Sequence, residues 1–290
     1  MSSYVSIRVE GGSEEARERG LALGVAAGAL GAEERDGPPP SLILFAKEEQ
    51  GPEVETALRA ALGAELRVGA PVPMADVAWS EAWKEGLEPI VVSARLAITP
   101  SFVPFEASPG QLALVIDPGQ AFGTGGHAST RLALDLLDAL PEAAFAGRRV
   151  LDVGCGTGVL ALAALGLGAK QAVALDLDPL ATEATWENAV RNHLTTGLRV
   201  WTGPIEGLDE GPFDLVLANM IWAELFPLLG AVRGCCCAGG RVVLSGVLEE
   251  ERALAEEALA AVGLEIVESR SHQDELGDHW LALSCITITG

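Results

Sequence analysis

Polar and apolar residues alternate from Tyr4 to Glu10, with Val5, Ile7 and Val9 on one side, the period of a half-buried strand. Ser13-Glu14-Glu15-Ala16 then offers a helix start, because a serine can cap and acids suit the first turn. Apolar residues carry that helix on to Leu30. Gly37-Pro38-Pro39-Pro40 can continue neither a helix nor a central strand and predicts a turn. Ser41–Lys47 reads as a second strand and Glu53–Leu66 as a second helix. Short strands near Ala32–Arg35 and Leu66–Gly69 would complete a β-α-β-β-α-β unit, a small α+β domain over residues 1–70.

Residues 71–105 differ in texture. Pro71, Pro73, Pro89, Pro100 and Pro104 punctuate them, and Trp79 and Trp83, four apart, share one helical face. A linker carrying a short aromatic helix is expected, either packed on a neighbouring domain or presenting a substrate. Residues 106–290 alternate between strand and helix as a doubly wound sheet does. Expected strands are Arg149–Val153, Ala172–Asp176, Leu198–Thr202, Phe213–Asn219 and Arg241–Leu248, with Leu264–Ser269 and Trp280–Ile288 as a terminal antiparallel pair. Expected helices are Arg131–Leu140, Val159–Leu167, Pro179–His193 and Glu249–Val262.

Composition narrows the function classes. The chain has 290 residues, enough for two domains, and its 49% hydrophobic against 21% charged residues exclude disorder as the main state. Against 41 acidic residues stand 19 basic ones, a net charge of −22. Such a chain repels polyanions, so stable nucleic-acid binding is not expected, whereas a basic partner is attracted. No charge-free apolar run approaches the roughly 18 residues of a membrane span; the longest candidates are Leu21–Ala32 and Val159–Ala169. The opening residues have no basic region followed by an apolar one, so no secretory signal is expected. Five cysteines, three of them contiguous at Cys235–Cys237, do not form a disulfide framework and suit a reducing cytoplasm. The triplet reads as a turn before the strand at Arg241, since adjacent cysteines chelate poorly.

The sharpest chemical signal is Val150-Leu151-Asp152-Val153-Gly154-Cys155-Gly156-Thr157-Gly158, an apolar strand running into a glycine turn ahead of a helix. Such a turn needs positive φ and lets a ligand approach the backbone. The next strand ends at Asp176, 22 positions after Gly154, where a carboxylate can accept both hydroxyls of a ribose. The spacing G-x-G-x-G leaves Val159 where a dinucleotide fingerprint has its third glycine. Asp152 would oppose a pyrophosphate and suits a cation, directly or through water. S-adenosylmethionine (AdoMet), with an ammonium, a sulfonium and no phosphate, therefore fits better than NAD. The plainer alternative is a structural glycine turn.

Two further segments converge on the same sheet edge. Asp117–Thr130 is a glycine-rich loop with one Phe, suited to folding over a ligand. Thr130 could serve a ligand or cap the following helix, His127 is equally ambiguous, and no zinc spacing surrounds either. Asn219 ends the strand Phe213–Asn219, where its carbonyl could accept a hydrogen bond from an amine and Trp222 could wall the pocket; the alternative is a simple turn.

Asp117–Thr130, Val150–Pro179 and Phe213–Leu229 together resemble the PrmA family of ribosomal protein methyltransferases, which modify protein eleven of the large subunit. Trp79–Lys84, Pro89 and Arg95 are similar to that family's linker, so the likeness spans residues 76–250. It implies a class I AdoMet-dependent methyltransferase domain with a Rossmann-like seven-stranded sheet, behind a small ferredoxin-like domain that holds the substrate protein. It implies AdoMet contacts at Thr130, Gly154, Asp176 and Asn219, beside Asp152 and Gly156 of the glycine turn, and a Phe122-Gly123-Thr124 lid over the methionine end. It also implies lysine ε-amines and an N-terminal α-amine as acceptors, carried to the trimethylated state, with Asn219 aiming the amine. Ser129 departs mildly from the family's second threonine. The rival readings are a nucleic-acid amine methyltransferase, which would often carry Asn-Pro-Pro-Tyr from position 219, another protein or small-molecule methyltransferase, and a non-catalytic AdoMet-binding module. Both prolines of the first are missing here.

Overall fold

The computed structural model describes residues 4–35, 39–62, 66–74, 88–117, 126–274 and 277–288. The chain divides into two units, Met1–Gly86 and Leu87–Gly290. In the first, β1 (Tyr4–Glu10) is followed by α1 (Glu14–Ala26), β2 (Gly31–Arg35), β3 (Ser41–Lys47), α2 (Gly51–Leu62), β4 (Arg67–Val68) and β5 (Val72–Met74). The sheet order is β2-β3-β1-β4, with β5 also on β1 and every pair antiparallel. Alternation sets the faces: Val5, Ile7 and Val9 are buried, each worth about 1.5–3 kcal/mol over exposure. Val54, Leu58 and Leu62 of α2 join them at helical spacing. Ser13 caps α1, its hydroxyl accepting from the Ala16 amide at 3.2 Å. The helix stops at Ala26, short of the expected Leu30, because Gly28 takes φ +106° and turns the chain toward β2. The expected aromatic helix at Trp79–Lys84 lies outside the described residues.

The second unit opens with a three-stranded sheet of β6 (Ile90–Val91), β7 (Leu96–Thr99) and β8 (Leu112–Val115), so residues read as linker carry two of its strands. Arg95, before β7, donates through Nε to the Asp138 carboxylate at 3.0 Å and through its guanidinium to the Asp138 and Leu140 carbonyls. Those carbonyls end helix α3 (Ala128–Asp138), whose last turn would otherwise lack donors.

The main sheet follows: β9 (Arg149–Val153), α4 (Val159–Gly166), β10 (Gln171–Asp176), α5 (Pro179–Arg191), β11 (Leu198–Thr202), β12 (Phe213–Asn219), α6 (Trp222–Leu225), α7 (Leu229–Cys235), β13 (Cys236–Leu248), α8 (Arg252–Ala261), β14 (Leu264–Gln273) and β15 (His279–Thr287). Its seven strands run in the order β11-β10-β9-β12-β13-β15-β14. All lie parallel except β15, antiparallel to both neighbours. Both faces are buried, as strands this apolar require. Leu215 and Leu217 face the core under α3 and α4, and Val216 and Ala218 the core under α7 and α8. The chain reverses direction across the sheet between β9 and β12, which opens a crevice at their carboxyl ends.

The reading of Cys235–Cys237 as a turn is corrected. Cys235 closes α7 and Cys236 already pairs with Phe213 at the start of β13. The register then breaks and resumes at Leu215 opposite Arg241, so the strand begins five residues earlier than expected. All five cysteines are free.

Candidate functional site

The glycine turn after β9 is held from beneath. Gly154, Gly156 and Gly158 have φ of +68°, +54° and +79°. Gly158 caps α4 without a side chain, and a Cβ there would stand 2.7 Å from the Thr185 methyl. Thr185 donates to the Gly156 carbonyl at 2.9 Å and Asn188 to the Thr157 carbonyl at 3.0 Å, both from α5. At the end of β10 the Asp176 carboxylate accepts from the Gly156 amide and the Asp178 amide, each at 3.0 Å. A carboxylate has about four acceptor sites, so two remain for a ligand.

Asp152 sits elsewhere. It shares the β9 face of Val150, beneath α4, where it is 1% exposed. Its Oδ2 accepts from the Ala161 amide at 3.0 Å and its Oδ1 has no partner among the described residues. Burial pushes its pKa from the ordinary 3.8 up to about 7, the Ala161 hydrogen bond pulling the other way and the Asp176 charge adding to the rise. The native state thus keeps a proton that the unfolded chain releases near pH 3.8. The group therefore costs stability progressively from about pH 4 to pH 7, and fully above that. Asp152→Asn is expected to flatten stability against pH across that window and to be relatively more stable near pH 8, as read by denaturant titration. An unchanged pH slope would contradict the assignment.

Two hydrogen bonds fix the start of α3 over the sheet edge. Asn219 Nδ2 donates to Thr130 Oγ1 at 3.1 Å, and Ser245 Oγ donates to the Ser129 carbonyl at 2.8 Å. The helix begins three residues earlier than expected because His127 caps it, Nδ1 accepting from the Ser129 amide at 3.3 Å. Thr130 is fully buried and its hydroxyl serves Asn219, neither capping the helix nor reaching open space. With Nδ2 engaged, Oδ1 is buried with no partner among the described residues. A bare carbonyl acceptor of this kind costs about 1–3 kcal/mol unless something fills it.

Phe122, Gly123 and Thr124 lie outside the described residues. The chain entering that loop is well held. Asn192 makes a two-way amide bridge to the Val115 N–H and carbonyl, each at 2.7 Å. Asp117 takes the Ser101 amide and hydroxyl at 2.7 and 2.8 Å and pairs with Arg191 at 3.2 Å.

Gly154, Gly156, Asp176 and Asn219 meet in one cavity of about 790 Å³, while Asp152 and Thr130 lie behind its wall. Trp222 does not wall it as expected: α6 turns the indole into the core, 9% exposed and 5.5 Å from the Phe226 ring. Met220 and Ile221 line that side instead. Sequence reasoning missed Gly246, the Leu177–Ile205 pair beside Asp176, and Trp280, which no local pattern connects to the loops. Asp176, Asp178, Glu206 and Glu224 line the cavity, and no Lys or Arg does among the described residues. Nor do three or more His, Cys, Asp or Glu among the described residues form a metal-holding group.

A large cavity lined by four carboxylates and by apolar side chains, with no Lys or Arg among the described residues, rejects a pyrophosphate and suits a cationic nucleoside without phosphate. With this strand order and a glycine turn at its switch point, the chain is a class I AdoMet-dependent methyltransferase, and its cofactor is AdoMet. The profile described as ribosomal protein L11 methyltransferase (PrmA) matches residues 44–285. A ribosomal protein L11 methyltransferase of Deinococcus radiodurans is 38% identical over 276 residues, 93% of this chain and 94% of that one. One of Pelobacter propionicus is 40% identical over 207 residues, 71% of this chain and 65% of that one. The crystal structure of a ribosomal protein L11 methylase from Lactobacillus delbrueckii subsp. bulgaricus superposes with TM-score 0.62 at 28% identity, covering 70% of this chain and all of that one. The chain belongs to the PrmA family.

Asp176→Ala removes a carboxylate of the cavity lining and its tie to the Gly156 amide. It is expected to weaken AdoMet binding by about 10²- to 10⁴-fold, as two charge-assisted hydrogen bonds imply. Calorimetric titration measures this directly. An unchanged dissociation constant would take Asp176 out of the cofactor site.

Proposed function

We propose that this enzyme methylates ribosomal protein L11 on lysine ε-amines and on its N-terminal α-amine. The observation that carries the reading is Asn219 in the cavity lining at the switch point, its buried Oδ1 without a partner and the lining without Lys or Arg among the described residues. Family membership and the names of the relatives support the same substrate.

When bound, AdoMet supplies a sulfonium methyl open to attack by an amine lone pair. The chain's own residues do the rest. Asp176 would hold the ribose hydroxyls, with Leu177 and Ile205 in the same lining to receive the base. Gly154 and Gly156 allow close approach of the backbone. A lysine ammonium, with pKa near 10.4, must first lose a proton. An amide at Asn219 favours that loss where a carboxylate would oppose it, because it accepts an N–H without stabilising the positive charge. Water takes the proton, and Asn219 Oδ1 then accepts one N–H of the neutral amine and turns its lone pair toward the methyl. Alignment supplies most of the rate.

The N-terminal unit grips the ribosomal protein, and the charge of −22 draws a basic partner to it. None of the described helices is long and apolar enough to cross a membrane, and the cytoplasm, where ribosomes are made, is the site of action. Incubation of unmethylated L11 with the enzyme and AdoMet, followed by peptide mapping, tests the reading. Methyl additions on lysines and the N-terminal amine are expected. Additions on other residue types, or none while AdoMet still binds, would overturn it.

A further inference from the structure

We propose that Trp280 and His127 form an aromatic wall that holds the partly methylated amine and so sets how far methylation proceeds. This rests on the amine-methylation reading above. Both rings line the cavity that Asn219 enters. Their centroids are 4.7 Å apart at 72°, edge to face. Neither ring is loose. Trp280 Nε1 donates to the Asp274 carboxylate at 2.7 Å, and His127 Nδ1 is engaged by the Ser129 amide and lies 2.8 Å from the Ser129 hydroxyl.

The chemistry of successive transfers gives such a wall a role. In each round the amine lone pair forms the N–C bond, the S–C bond breaks, and its electron pair stays on sulfur. The new ammonium gives a proton to solvent before the next round. A primary amine has two N–H bonds and a secondary amine one, so Asn219 Oδ1 can hold either. A tertiary amine has none. For the third transfer the amide has nothing to accept, and the substrate must be held through its methyl groups and its developing positive charge. Aromatic surface does both, through apolar contact and cation–π attraction. Without Lys or Arg in the lining among the described residues, no fixed cation opposes the quaternary product, and the lining carboxylates favour it.

The test compares the wild type with Trp280→Phe, which keeps an aromatic face, and with Trp280→Leu and Trp280→Met, which do not. Methionine is the space-filling variant that guards against simple misfolding. Two readouts are taken: the mono-, di- and trimethyl distribution on L11, and binding of a trimethyllysine peptide and its unmethylated counterpart by each protein without cofactor. Leu and Met variants are expected to lose a larger share of the third transfer than of the first, to accumulate mono- and dimethyl products, and to lose about tenfold in preference for the trimethyl peptide. Trp280→Phe is expected to retain most of both. An unchanged product distribution and peptide preference in a folded Met variant, with the wild type active, would overturn the wall while leaving the methyltransferase reading intact. A wild type that methylates no amine would overturn the reading and the wall with it.

Discussion

Asn219→Ala is expected to lower methyl transfer by roughly 10²- to 10³-fold, the usual effect of deleting one preorganised group at a reacting centre. AdoMet affinity should change far less, because the glycine turn and Asp176 remain. The argument is geometric. Thr130 holds the amide nitrogen at 3.1 Å, and the buried oxygen has no partner among the described residues. Alanine removes both the aim and the hydrogen bond that anchors α3 over the edge. Asn219→Asp keeps an acceptor oxygen but puts a charge beside the amine, raising its pKa; any remaining activity should move to higher pH. Turnover of the alanine variant within a few-fold of wild type would remove Asn219 from the chemistry.

Gly246→Ala is expected to be the most damaging small substitution. Gly246 is an extra residue in β13: Ser245 pairs with Ala282 and Val247 with Leu281, leaving it in a bulge with φ +85°. A Cβ there would stand 2.3 Å from the Met220 carbonyl oxygen. Because that neighbour is backbone, no side chain can swing aside. Met220 follows Asn219 directly, and its amide is tied to the Ser245 carbonyl at 3.1 Å. Relief of the clash must therefore displace the cavity floor. Backbone strain and overpacking together make about 3 kcal/mol or more. Denaturation should show a large loss of stability, and AdoMet binding should fall with it. A variant with wild-type stability and affinity would mean that the bulge can relax without moving Met220.

Much of this was readable from the chain. β1, β3, β9, β11 and β12 have the expected bounds because alternation or a two-faced apolar run defines each strand. Helix ends were less legible. α3 starts early on the His127 cap, and α8 starts late because Glu249–Glu251 forms a separate tight turn. The insertion of β15 between β13 and β14 depends on long-range pairing that no local pattern encodes. The same limit governed the site. Gly154, Asp176 and Asn219 mark strand ends and could be found as such. Trp222 looked like the pocket aromatic because it is near Asn219 in sequence, but a helical turn carries it into the core. Trp280, 61 positions beyond Asn219, lines the cavity in its place. Asp152 lies under α4, where counting strand parity from Val150 places it.

The central claim is that this cavity transfers methyl groups to one basic ribosomal protein. The most direct measurement incubates the purified enzyme with AdoMet and the whole set of unmethylated large-subunit proteins, then weighs each protein intact by mass spectrometry. Additions in methyl-sized steps on L11 and on no other protein are expected, and they should vanish with Asn219→Ala. Additions spread across many proteins, or absent from L11 while the enzyme still binds AdoMet, would contradict the account.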